Sequence, residues 1–192
     1  THPPMPSKIE DGIIKGMYKF KEIKSEKNLN IQLLASGSML NEVIEAGKIL
    51  KKDWGISSDI WSVTSFSELH REAEDKRRWN TLHPNSKPKE SYLESCIKSK
   101  NGPVIGVSDY VKLVAEQIAP YLKCSFTALG TDGFGRSESR DELRNFFEIN
   151  RYYITLTALN SLSKEGKIEK DEIYSAIKKY NLDPEKSNPT TI

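Results

Sequence analysis

The stretch Ile31-Gln32-Leu33-Leu34-Ala35-Ser36-Gly37-Ser38 decides the fold class, because a run of buried-strand character passes through a small-residue turn into a helical pattern. Leu40, Val43, Ile44, Gly47 and Leu50 follow on one helical face, and Gly55 supplies the stop. Beyond it, residues 56–63 alternate as a second strand. Ser65 with Glu68 has the spacing of a capping box and opens a charged helix, and a short helix is expected around 92–97. Residues 103–107 read as a third strand, after which Val111, Val114, Ala115, Ile118 and Leu122 fall at helical spacing until Pro120 closes or kinks that helix. Residues 125–129 form the next strand. Ser139 and Glu142 repeat the capping pattern, with Leu143, Phe146 and Phe147 as the expected buried stripe. A helix near 152–163 ends at Gly166, and a last amphipathic helix carries Ile173, Ala176, Ile177 and Tyr180. Upstream, residues 9–22 read as a helix running into a short edge strand. Strand alternating with helix about four times predicts an α/β sheet covered by helices on both faces.

The chain has 192 residues, enough for one domain with a good core and short for two. Twenty-nine basic and 27 acidic residues give a net charge of +2 with the signs interspersed, which argues against a dedicated nucleic-acid or membrane-surface protein. No apolar run approaches the roughly 20 residues that span a bilayer. Cys96 and Cys124 form neither a disulfide framework nor a thiolate zinc set, so a reducing, cytoplasmic compartment is expected. Residues 1–8, with Pro3, Pro4 and Pro6, read as an extended arm from a preceding domain, residues 9–182 as a single α/β domain, and residues 183–192 as a flexible tail. Such an arm implies a chain cut from something longer.

The most distinctive loop is Gly130-Thr131-Asp132-Gly133-Phe134-Gly135-Arg136-Ser137, between a strand and a helix where α/β folds keep function. Its glycines permit tight backbone, and its charges at Asp132 and Arg136 are unnecessary for a glycine-built turn but suit contacts across a domain or subunit boundary. Thr131, Asp132, Phe134, Arg136 and Ser137 are therefore the candidate docking residues, with a purely structural turn as the competing reading. Ser36, Gly37 and Ser38, at a helix start, are an anion-site candidate beside the plainer reading of a helix cap. Gly133 to Glu138 resembles the start of a dinucleotide fingerprint, but glutamate replaces its third glycine. His2, His70 and His83 are scattered, which predicts no metal pair. Ser108 and Asp109 read as caps of the next helix, and Trp61 as core. The residues themselves predict an α/β domain without its own catalytic machinery.

Several runs, in this order, carry a resemblance: Leu33 to Ser38, Asp59 to Phe66, Arg78-Trp79-Asn80, Leu82-His83-Pro84, Asp109 to Leu113 and Leu129 to Ser137. Together with His2 to Pro6 and Arg151-Tyr152-Tyr153, they resemble the C-terminal domain of the homodimeric, acetyl-transferring pyruvate dehydrogenases, of the transketolase-like thiamine enzymes. The resemblance implies a three-layer fold with a mixed, mostly parallel five-stranded sheet. It also implies thiamine diphosphate and Mg²⁺ bound by an earlier domain, since the Gly-Asp-Gly cofactor motif and its metal-binding asparagine are absent here. No catalytic or cofactor-binding residue is carried over, so this fragment alone is expected to be inactive. Implied partners are the preceding catalytic domains, a second copy in a homodimer, and the dihydrolipoyl acetyltransferase component. A free-standing small-molecule or nucleotide-binding module using the turn at Gly37 or Gly133 is the alternative.

Overall fold

The computed structural model describes residues 3–98 and 102–192, so His2 lies outside the described residues. Its frame is a five-stranded sheet in the order β1-β3-β2-β4-β5, made from β1 (Met17–Ile23), β2 (Asn30–Ser36), β3 (Ser57–Val63), β4 (Val104–Val107) and β5 (Phe126–Leu129). β3, β2, β4 and β5 run parallel, whereas β1 pairs antiparallel with β3 along the edge, with a register shift between Lys19 and Lys21. The mixed, mostly parallel sheet is the one the resemblance implies.

β2 is central and has layers on both faces, which is why its five middle residues are all buried and, apart from Gln32, apolar. One face packs under α2 (Met39–Ile49), α7 (Arg151–Lys164) and α8 (Lys170–Lys179), where Leu33 and Ile105 meet Val43, Ala158 and Leu162. The other packs under α3 (Phe66–Leu82), α4 (Tyr92–Ile97) and α5 (Lys112–Glu116), where Leu34 and Trp61 meet Leu69, Leu93 and Ala115. Trp61 is core, as expected, and its indole N–H donates to Gln32 Oε1 at 2.9 Å. Among the described residues the other α-helices are α1 (Glu10–Ile14), before the edge strand, and α6 (Arg140–Phe146), after the distinctive loop, and a π-helical turn, Leu50–Trp54, extends α2.

Two expectations change. The helix anticipated through Leu122 stops after α5, and residues 119–121 form a 3₁₀ turn, because Pro120 has no N–H for an α-helical bond. Leu143, Phe146 and Phe147 are only half-buried, since α6 lies at the sheet's end rather than over its face. Residues 183–192 run back over the domain without regular secondary structure, with Pro189 buried and the others wholly or partly exposed. Residues 3–8 form no regular element before α1.

Candidate functional site

The loops after β2, β4 and β5 converge at the C-terminal ends of the parallel strands. β2 continues toward β3 on one side while β4 and β5 extend the sheet on the other, so the crossover connections diverge there and leave a crevice. Both candidate stretches lie on it. An open groove of about 640 Å³ is lined by Ser38 and Asp109 on one side and by Thr131, Gly133, Gly135 and Arg136 on the other. Arg140 and Arg144 of α6 also line it.

The base of the distinctive loop is fastened to the loop after β4. Thr131 donates its backbone N–H to Tyr110 O at 2.9 Å and its hydroxyl to Asp109 O at 3.1 Å. Asp132 Oδ2 accepts from Lys112 N at 3.1 Å. Asp132 therefore caps α5 from twenty residues away, the role expected of Ser108 and Asp109. Ser108 instead accepts from Tyr110 N at 3.1 Å through its hydroxyl. A Cβ on Gly130 would stand 2.5 Å from Tyr110 O and 2.7 Å from Lys112 N, so only glycine lets the two loops close up.

Beyond Asp132 the loop projects. Phe134 is 79% exposed, and Tyr110, on the neighbouring loop, and Leu113, at the start of α5, are 63% and 70% exposed. Arg136 lies over the Phe146 ring, 5.1 Å from its centroid, and Ser137 is exposed. The candidate set thus divides in two: Thr131 and Asp132 build the base, while Phe134, Arg136 and Ser137 face outward.

At the other candidate site the chain supplies its own carboxylate. Ser38 donates its hydroxyl to Asp109 Oδ2 at 3.0 Å, and a Cβ on Gly37 would lie 3.9 Å from the same carboxylate. Ser36 and Ser108 hydroxyls are 3.2 Å apart. An external anion at this helix start would meet the charge of Asp109, which offsets the attraction of the free N–H groups.

Behind the groove stands a cluster that sequence reasoning missed. Glu42 of α2 is 2% exposed and accepts from Arg144 Nη1, Arg151 N and Arg151 Nη2 at 2.9 Å each, and from Arg151 Nε at 3.0 Å. Burial pushes the Glu42 carboxyl up, but the hydrogen bonds and charges of Arg151 and Arg144 outweigh it and hold the group below its ordinary range. Arg144 also donates to Ser38, so one arginine connects the β2 turn to α6. The only sequence signal was a glutamate interrupting the apolar face of α2. A second buried carboxylate, Asp59, is treated the same way: burial raises it, while Lys19, Gln32 and Asn30 bring it down further.

His70 and His83 contact the backbone oxygens of Gln117 and Trp79, in keeping with structural roles. Among the described residues no group of three or more His, Cys, Asp or Glu is placed to hold a metal ion, and no helix is long and apolar enough to cross a membrane.

A mostly parallel sheet with an antiparallel edge strand, helices on both faces and a loop cluster at the strands' C-terminal ends defines the class: residues 16–150 match the transketolase-like TK C-terminal domain, and the chain belongs to that family. A transketolase from Pichia stipitis shares the fold, with a TM-score of 0.56 at 19% identity over 82% of this chain and 19% of that one. Along its whole length the chain is similar to proteins named pyruvate dehydrogenase E1 component. It is 50% identical to that of Cupriavidus necator over 192 residues, 100% of this chain and 22% of the relative. It is 52% identical to that of Pseudomonas aeruginosa over 190 residues, 98% of this chain and 22% of the relative. The chain therefore spans about a fifth of the length of the curated relatives it matches.

Proposed function

We propose that this chain is the non-catalytic C-terminal assembly domain of a cytoplasmic, thiamine diphosphate-dependent pyruvate dehydrogenase. The complete enzyme decarboxylates pyruvate and reductively acetylates lipoyl groups of the dihydrolipoyl acetyltransferase component. The observation that carries this reading is the similarity to a pyruvate dehydrogenase E1 component over all 192 residues, at 50% identity. Thiamine diphosphate and Mg²⁺ belong to other domains of that enzyme. The groove offers too few ligands for the metal of a metal pyrophosphate: its carboxylates are Asp109, which accepts from Ser38, and Glu138, and among the described residues no group of three or more His, Cys, Asp or Glu is placed to hold a metal ion.

Within the assembly, the outward residues Phe134, Arg136 and Ser137 dock on the preceding domains or on a second copy in a homodimer. Support comes from the contrast within the loop, whose base is hydrogen-bonded to its own domain while an aromatic side chain is held in solvent at its tip. Aromatic and arginine side chains are the usual anchors of interfaces. A free-standing binding module would leave the groove's polar groups available to a ligand, whereas Asp109 and Arg144, which line it, already hydrogen-bond within the domain.

Substitution of Phe134 tests the reading. Phe134→Ala should leave the melting of this chain within the range of a surface change, about 0.5 kcal/mol. In the complete enzyme it should weaken dimer affinity by about 2 kcal/mol, roughly thirtyfold. Unaltered assembly in sedimentation, with unaltered activity, would remove the docking role.

A further inference from the structure

We infer that residues 183–192 are a strap that holds the Gly130 to Ser137 loop in place, with Lys186 and Pro189 as its positioning residues. From Gly133 to Glu138, among the described residues, no backbone N–H donates a hydrogen bond within the chain. The projecting part of the loop therefore takes its order from what packs beside it: α6 beside Arg136, through the Phe146 ring, and the segment after α8 beside Gly133.

Lys186 is its anchor. The ammonium donates to Asn145 O at 2.8 Å and Phe146 O at 2.7 Å, carbonyls at the C-terminal end of α6, and stands 3.4 Å from Glu148 Oε1. Two carbonyls at a helix C-terminus and one carboxylate match its three donors and its charge. The same ammonium is 5.6 Å from the centroid of the Phe146 ring, the ring that Arg136 covers, so one aromatic side chain joins loop and strap.

A turn at Asn188 then aims the chain at the loop. Asn188 Oδ1 accepts from Thr190 N at 3.0 Å and from the Thr190 hydroxyl at 2.8 Å, and Thr191 N donates to Asn188 O at 3.0 Å. The turn sets Pro189 in a buried position against Gly133. A Cβ on Gly133 would be 2.4 Å from Pro189 O, and the residue has a φ of 105°. Glycine is required there twice over, for its backbone conformation and for the room it leaves the strap. Asn188, Pro189 and Thr190 also close one side of a cavity of about 50 Å³ that Gly130 and Asp132 line.

The strap rests on these contacts alone, while its importance for assembly rests on the docking reading above. Backbone NMR relaxation on the 192-residue chain tests the strap. In the parent chain, residues 133–137 should show order parameters of about 0.8, and Lys186→Met should lower them below about 0.6 while β2 stays rigid. Lys186→Arg, which keeps charge and donors, should preserve the parent values. Trypsin cleavage after Arg136 should rise about tenfold in Lys186→Met, a readout of local opening that needs no spectrum. Gly133→Ala should produce the same loosening from the other side and mobilise Thr190. A loop already mobile in the parent chain, or one equally ordered and equally resistant in Lys186→Met and Gly133→Ala, overturns the strap. Loosening spread evenly over loop and β2 overturns it as well. A loop that loosens while the complete enzyme assembles normally leaves the strap standing and refutes docking instead.

Discussion

Glu42→Ala is the perturbation that reaches furthest into this domain. The carboxylate is nearly inaccessible and accepts four hydrogen bonds from two arginines, which arrive from α6 and from the start of α7. Removing it leaves Arg144, with 12% side-chain exposure, and the more accessible Arg151 without their counter-charge. Breaking a buried pair from one side costs about 3–5 kcal/mol, because the stranded partner keeps its desolvation penalty. For a chain of this length each kcal/mol moves the melting temperature by about 2–4 °C, so Tm should fall by about 6–20 °C. Glu42→Gln, which keeps the shape and one acceptor, should cost less than alanine but more than an exposed pair. Urea denaturation at neutral pH, followed by far-UV circular dichroism, gives the difference directly. A loss below about 1 kcal/mol, the ceiling for exposed ion pairs, would mean that solvent screens the cluster and that it does not tie α2 to α6 and α7.

Acid should act on the same group with a definite sign. The folded-state pKa of Glu42 lies below its ordinary value of 4.5, so its contribution is complete above that pH and is lost as pH falls through the folded value. Asp59, likewise depressed, adds to the same acid limb, and the pH dependence of the urea midpoint should flatten below pH 4.5 in Glu42→Gln and below pH 3.8 in Asp59→Asn. Asp132→Ala should destabilise the chain by about 1 kcal/mol, the usual loss of a helix cap, and Asp132→Asn by less. A cost under about 0.3 kcal/mol in chemical denaturation would show that the Lys112 N–H finds water instead. Arg136→Ala, whose guanidinium covers an aromatic ring at the surface, should stay within about 0.5 kcal/mol in the same assay, and a loss of several kcal/mol would make the loop's charge structural. Isothermal calorimetry of this chain with thiamine diphosphate and Mg²⁺ should show no stoichiometric heat. Micromolar one-to-one binding would place cofactor machinery in this domain.

The strands were legible because burial on two faces writes a mainly apolar run, as in β2, while the edge strand β1 shows its exposure through Lys21 and Glu22. Local helix signals also transferred: Ser65 accepts from Glu68 N and Ser139 from Glu142 N, contacts confined to one turn of chain. What escaped was held together across long sequence separations. Arg144 reaches Glu42 over 102 residues, Lys186 reaches Phe146 over 40, and Asp132 caps a helix that precedes it by 20. No local pattern encodes such partners, so the charges of Asp132 suggested contacts outside the domain when its carboxylate is used within it. The loop itself was visible as a glycine-rich octet. Its division into a fastened base and a projecting tip required the position of Tyr110 and Lys112.

The place of β1 constrains the order in which the domain is put together. It precedes β2 in the chain, yet its hydrogen-bonding partner is β3, with Met17 opposite Val63 and Ile23 opposite Ser58. Among the described residues the ladder of β1 is with β3 alone, so it joins the sheet only once β3 is in place. The parallel unit of β2, α2 and β3 forms over a short separation and the edge strand adds afterwards, across a loop already shortened by the crossover, which lowers the entropy of closure. Until then β1 remains an unpaired amphipathic segment during folding, and its two lysines and register shift discourage it from pairing with a strand of another molecule.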